Sequence, residues 1–282
     1  MATIAVIGLV GRSQFFEVPR FHQGGETITA SSLFCEWGGK GFNQAVAAAR
    51  QGADVRFLGA VNAADLAPLQ DFCHSESISE FLATRPEPTA TAAILTDGIG
   101  ETRVTVYPGA ALCADDIMDF VVDIGRADFL LLNNEVPEAV NLAALEIAKR
   151  FGTKIIYNPA PARTLPKEIR EAVDIFTPNE FEEKELIDIP TTSEVVTTLG
   201  AKGCRIRSTG EVIPAPKVKA VDSTGAGDTF NAVLAVRLAE GSSLVDACRA
   251  AVDAASQSVT RRFVIPSIPY RSPLPLKPNP KT

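Results

Sequence analysis

The sequence has no cysteine pair at C-x-x-C spacing, no apolar run near the roughly 18 residues that cross a bilayer, no basic stripe and no internal repeat. Each absence removes a class of protein. The cysteines (Cys35, Cys73, Cys113, Cys204 and Cys248) are scattered and odd in number. That pattern fits reduced thiols in a cytoplasmic chain better than a zinc site or a disulfide framework. No basic segment precedes the first apolar run, so Ile4–Val10 reads as a strand and not as a leader peptide. Lys and Arg total 27 against 34 Asp and Glu, a formal charge of −7. Nucleic acid and anionic membrane are therefore not expected partners. Phosphate remains open as a ligand, because backbone amides and a few local cations suffice to bind it.

What the sequence does contain is an ordinary globular composition, 46% hydrophobic and 22% charged over 282 residues, enough for one large α/β domain. Thr3–Gly8 is a short apolar run ending in glycine, as in a strand buried on both faces. Phe15–Cys35 mixes β-branched and aromatic residues around Gly24-Gly25 and predicts two strands. Gly41–Gln51 predicts a helix stopped by Gly52, and Val55–Val61 a further strand. Thr91–Thr96 and Thr102–Tyr107 predict a β pair around Asp97-Gly98. Alternation then becomes regular, with strands at 128–132, 154–157, 175–177 and 194–198. Helices are predicted from Asp115, at 138–151 and at 180–187. A hairpin at 204–214 and two helices, 226–240 and 243–259, complete the pattern. Strands alternating with helices imply a parallel sheet covered on both faces. The β segments at 14–35 and 90–108 fall outside that alternation and predict a separate small sheet. From Pro266 to Thr282 there are six prolines in 17 residues, which predicts a surface-hugging or mobile end.

The stretch richest in chemistry is Val221–Asn231, VDSTGAGDTFN. Gly225, Ala226 and Gly227 stand directly before an amphipathic helix, whose first turn presents unpaired N–H groups and a positive dipole end. Small residues there let a phosphate approach the backbone. Asp228 in the first turn can be a base beside that anion site or simply a partner of the helix dipole. Asn179 and Glu182, at i and i+3, can be a capped helix start or can place a carboxylate near a metal.

VDSTGAGDTF resembles the C-terminal signature of the ribokinase (PfkB) sugar-kinase family. The resemblance extends, in the family's order, through Trp37-Gly38-Gly39-Lys40-Gly41-Phe42-Asn43-Gln44-Ala45, NPAPARTLP from Asn158, TPNEFEE from Thr177, TLGAKG from Thr198 and SVTRR near the end. It implies a ribokinase-like α/β fold, with a mostly parallel central sheet flanked by helices and a small β lid from about 14–35 and 90–108. It implies ATP-dependent phosphorylation of a sugar-like hydroxyl. Asp228 would remove the hydroxyl proton, and the amides of Gly225, Ala226 and Gly227 would stabilise the transferred charge. Gly38, Gly39, Lys40, Asn43, Glu135 and Ser13 would face the sugar. Asn179, Thr198, Gly200, Gly203, Gly225 and Gly227 would face ATP, and Glu182 would organise Mg2+. The resemblance also implies a homodimer formed through the lid.

Departures from the pattern lie on the substrate side. Gly11 and Ser13 stand where relatives carry Asn and Asp, and Asn62-Ala63-Ala64-Asp65 replaces Gly-Asp-Asp. Losing that Asp predicts weak ribose binding, and the lost side chains suggest room for a bulkier or anionic substrate near Arg12, unless Glu17 or Asp65 restores the carboxylate. Asp222, Thr224 and Ser267 match a potassium site, yet Phe263 occupies the place of a glycine that lends its carbonyl. The resemblance leaves open a kinase for a nucleoside, ketohexose or sugar acid. A non-catalytic sugar-binding regulator would have no use for Asp228.

Overall fold

A computed structural model describes residues 1–271 of the chain. Along it, β1 (Thr3–Ile7) is followed by β2 (Gly11–Glu17), β3 (Ser32–Gly38), α1 (Lys40–Arg50), β4 (Asp54–Asn62), α2 (Ala63–Ser75), β5 (Ile78–Arg85), β6 (Ala90–Thr96) and β7 (Thr102–Tyr107). A 3-10 segment (Ala114–Phe120) leads into α3 (Val121–Arg126), β8 (Phe129–Asn133), α4 (Glu138–Phe151), β9 (Lys154–Asn158), α5 (Lys167–Ala172) and β10 (Ile175–Phe176). Then come β11 (Glu194–Thr198), β12 (Cys204–Ile206), β13 (Val212–Ile213), α6 (Ala226–Ala239) and α7 (Leu244–Ser258).

The main sheet runs β13-β12-β11-β10-β9-β8-β1-β4-β5. It is parallel from β11 to β5, with β12 and β13 antiparallel at one edge. Alternate residues of its strands feed two cores. Val6, Phe57 and Leu131 pack toward α1, α2, α6 and α7. Ile7, Leu58 and Leu132 pack toward α3, α4 and α5. The order reverses between β1 and β8, because the chain winds outward from β1 through β4 on one side and from β8 on the other. Open α/β sheets bind ligands outside the carboxyl ends of their strands at such a point. A second sheet, β3-β2-β6-β7, stands apart from the first, with β2 and β6 parallel and the outer pairs antiparallel.

Three elements were not expected from the sequence. α2 begins at Asn62, whose Oδ1 accepts the Ala64 N–H at 3.0 Å, and it carries Pro68 inside the helix, a residue that argues against a helix interior. β5 follows it and forms the free edge of the main sheet. The helix expected at 180–187 is only a 3-10 turn, Glu182–Glu185. Glutamates crowd that turn and repel one another. Asp188 then turns left-handed at φ 55, two residues before Pro190, and no helix can continue. α5 is short and was also unanticipated. Of the proline-rich end, Pro266–Arg271 packs back, with Ile268 buried and the Arg271 N–H bonded to Arg50 O at 3.0 Å. The rest of that expectation, 272–282, lies outside the described residues. The five cysteines are free.

Candidate active site

The site is organised around the start of α6. Gly225 caps that helix in the left-handed region, φ 75, a conformation that disfavours any side chain. Asp228 sits three residues on and is buried. Its Oδ2 accepts the Asn43 Nδ2 proton at 2.9 Å and its Oδ1 the Gln44 Nε2 proton at 3.2 Å. Burial raises the pKa of Asp228, opposed by the nearby Lys40 charge and by those two donors. Lys40 is raised in turn, chiefly by the Asp228 charge. The carboxylate is thus basic and oriented, as a proton acceptor must be. Of the amides assigned to the anion site, that of Ala226 is partly spent on Ser223 O at 3.3 Å.

Two cavities meet at this helix start. One, of about 250 Å³, is lined by Ser13, Gly38, Gly39, Lys40, Asn43, Glu135, Thr224, Gly225 and Asp228, and roofed by Ile94, Val104 and Val106 of the second sheet. The other, of about 500 Å³, is lined by Thr198, Gly200, Gly203, Ala226, Gly227, the Ala215–Val218 segment and residues of α7. Gly225 and Asp228 face the first cavity, while Ala226 and Gly227 face the second, so one turn of helix is the wall between them.

In the smaller cavity, Leu9 follows β1 and Glu135 follows β8, the two strands at the reversal of sheet order. Glu135 Oε2 accepts the Lys40 backbone N–H at 2.6 Å. Burial pushes Glu135 up to about 7, against the pull of Lys40. Asn43 Oδ1 is buried without a partner among the described residues, an acceptor free for a ligand hydroxyl. The space expected at Gly11 does not exist: a Cβ there would lie 2.5 Å from Ala90 O. The bulkier-substrate expectation fails on that count. Arg12 lines the cavity with its guanidinium 3.7 Å above the Trp37 ring. Its charge is matched by Asp65 at 2.6 Å. Glu17 pairs with Arg262, so neither Asp65 nor Glu17 replaces the missing carboxylate.

Asn179 and Glu182 form a reciprocal cap. Asn179 Oδ1 accepts the Phe181 and Glu182 N–H groups, and Glu182 Oε2 accepts the Asn179 N–H at 2.9 Å. Asn179 does not line the larger cavity. Among the described residues no donor reaches Glu182 Oε1, and Glu182 is close enough to Lys40 to raise its pKa. A carboxylate with one open oxygen fits a Mg2+ ion that keeps its waters. Among the described residues no group of three or more His, Cys, Asp or Glu side chains converges on a metal. Such an ion would then draw most of its ligands from phosphate and water. Thr224 faces the smaller cavity, while Asp222 and Ser267 line neither cavity.

Sequence reasoning missed Gln44, although it follows Asn43 in the same motif, and it missed Ala215–Val218, which no motif marks. Two cavities that share a helix N-terminus and a buried carboxylate are the arrangement a small-molecule kinase requires. The chain belongs to the pfkB family of carbohydrate kinases, whose profile matches residues 1–271. It is 36% identical to a ribokinase of Lactococcus lactis over 93% of this chain and 92% of that one. The ribokinase structure from Thermotoga maritima superposes with a TM-score of 0.85 at 32% identity, covering 96% of this chain and 97% of that one. Ribokinase from Arabidopsis thaliana, solved with ribose and ATP, gives 0.83 at 28% identity, covering 95% and 96%. The fold is ribokinase-like, and the protein is an ATP-dependent phosphotransferase that acts on an alcohol group of a sugar or sugar-like molecule.

Proposed function

We propose that ATP occupies the 500 Å³ cavity, that the acceptor occupies the 250 Å³ cavity, and that phosphoryl transfer takes place across the α6 N-terminus. Asp228 takes the hydroxyl proton, the alkoxide oxygen bonds to the γ-phosphorus, and the bond to the bridging oxygen breaks to release ADP. The amides of Gly225 and Gly227, the dipole of α6 and Lys40 face the charge that builds on the transferred oxygens. Asn43 and Gln44 fix the carboxylate. Glu182 would hold Mg2+ through water, and the ion would supply neutralisation of the phosphate charge. The observation that carries this reading is the division of Gly225–Asp228 between the two cavities.

For the acceptor, the glycine pair, Asn43 and Glu135 offer contacts to several hydroxyls, as relatives named ribokinases would require. Ser13 supplies only a short hydroxyl where a carboxylate could grip two, so we propose that ribose is held weakly. The sheet β3-β2-β6-β7 acts as the lid. Tyr107, at the end of its outer strand, is about half exposed and does not line the cavity, and we propose that a second copy covers this edge; sedimentation velocity of the chain as a function of concentration tests this. No helix among the described residues is long and apolar enough to cross a membrane, and we propose a cytoplasmic site of action, where ATP is supplied. ADP release measured over a panel of free sugars, sugar acids and nucleosides tests the function, with Asp228→Ala as the control. Turnover on a sugar that vanishes in the variant supports it; turnover on none of them counts against it.

A further inference from the structure

The loop that follows α7 is fastened to the lid by a carboxylate that no motif marks. Glu36 lies on β3, two residues before the Gly38-Gly39 pair. Its Oε1 accepts the Val264 N–H at 2.9 Å and its Oε2 the Ile265 N–H at 3.0 Å. Burial raises Glu36 to about 7, and these two bonds oppose that rise; both oxygens of one carboxyl group are used on adjacent amides. Beside them Phe263 adopts the left-handed region, φ 67, which a bulky residue occupies only when its surroundings hold it there. Its ring is stacked on Phe34 of β3, with centroids 3.9 Å apart, and edge-on to Phe15 of β2 at 5.2 Å. Arg262 pairs with Glu17 of β2. From the other side, Val264 rests on Gly225: a Cβ at Gly225 would fall 2.4 Å from Val264 Cγ1. The loop therefore stands between the sugar-side glycines and the phosphate-side helix start, in contact with both.

The same loop contains the place where the family resemblance would put potassium. The side chains there already hold hydrogen bonds within the protein. Asp222 holds the Thr224 N–H at 2.9 Å and the Phe263 N–H at 3.1 Å, one on each oxygen. The Ser267 hydroxyl donates to Val264 O at 2.7 Å. A potassium ion needs oxygen ligands, and this loop instead turns two amides toward Glu36. The residues present do not fit the ion.

We propose that Glu36 is a positioning residue: with Phe263 it clamps the 262–265 loop, and through Val264 the start of α6, so that phosphoryl transfer by this protein needs no monovalent cation. The inference rests on transfer taking place at Gly225–Asp228. It is tested by kcat of the full chain in potassium, sodium and tetramethylammonium chloride at equal ionic strength, together with Glu36→Ala and Glu36→Gln. Wild-type kcat should agree among the three salts within about twofold. In Glu36→Ala it should fall about tenfold or more, with the dissociation constant of a non-hydrolysable ATP analogue unchanged. Glu36→Gln should lie between, because its single carbonyl oxygen can keep one of the two amides. Stimulation of the wild type by potassium of fivefold or more would overturn the proposal. So would an unaltered kcat in Glu36→Ala, or a loss of kcat matched by equal loss of nucleotide affinity and melting temperature. Asp228→Ala, assayed alongside, separates the two levels. Retained turnover there sinks the site assignment and this inference with it. Lost turnover there, combined with potassium stimulation of the wild type, sinks this inference alone.

Discussion

With ATP and acceptor placed as proposed, the two sides of Asp228 are built in different ways. On the nucleotide side, one helix start and the ends of a few neighbouring elements make the cavity, and the residues that matter are small ones at fixed backbone angles. On the sugar side, the cavity is gathered from β1, β2, β3, α1, β6, β7, β8 and the C-terminal loop. Its polar contacts come from side chains that a single substitution can exchange. Backbone amides cannot be exchanged in this way, a contrast in keeping with the resemblance, which runs through Gly225–Asp228 and thins at Gly11 and Ser13. On the proposed assignment, one half of the site defines the reaction and the other half the acceptor.

The comparison can be broken first at Gly203. It sits at φ 98, and a Cβ there would meet Ile213 O at 1.9 Å. Gly203→Ala should cost about 3 kcal/mol or more through backbone strain and forced displacement of β13. Melting temperature should fall and the KM for ATP should rise, while sugar affinity in the folded fraction stays near that of the wild type. Equal damage to both ligands would erase the distinction between the two sides.

Glu135 probes the sugar side without the nucleotide. Burial raises its folded pKa from about 4.5 to about 7. The folded state therefore binds more protons than the unfolded state between those values, and stability from this group falls as pH rises through that window. Glu135→Gln should remove the slope, leaving the unliganded variant more stable than wild type at pH 8 by up to about 3 kcal/mol. Sugar affinity should weaken at the same time. Denaturant titrations at pH 5 and pH 8 would show it; identical pH dependence in the two proteins would contradict the assignment.

Ser13 sharpens the comparison. Ser13→Asp should tighten ribose binding by roughly 10–150-fold, the worth of a charge-assisted bond, leaving nucleotide affinity unaltered. Calorimetric titration with ribose beside a non-hydrolysable ATP analogue measures it. Micromolar ribose binding by the wild type would show that the carboxylate was dispensable. The smallest effect belongs to Glu182→Gln, which should raise the Mg2+ concentration needed for half-maximal rate by several-fold. An unchanged Mg2+ titration would reduce Glu182 to its capping role.

The alternation of strands and helices, and the residues around Asp228, could be read from the sequence because each depends on local pattern. α2 and β5 could not be. Pro68 is a residue that disfavours a helix interior, and the Asn62 cap and packing of Leu69 hold the helix in place. β5 has only one fully buried position, so its apolar pattern is faint. In the site, Asp228 and the glycines were legible as a motif, whereas Gln44 on Asp228, Arg12 on Trp37 and Glu36 on the Val264 amide join residues up to 228 positions apart. Gly11 misled for the same reason. A glycine in sequence suggests space, and only the fold reveals that Ala90 fills it.

The central claim is that Asp228 acts as the base at a wall shared by two separate cavities. Single-turnover kinetics of Asp228→Asn, with nucleotide affinity measured on the same preparation, tests it most directly. The chemical step should slow by roughly 10²–10⁴-fold while the affinity for the ATP analogue stays within about twofold. A chemical step near the wild-type rate would contradict it.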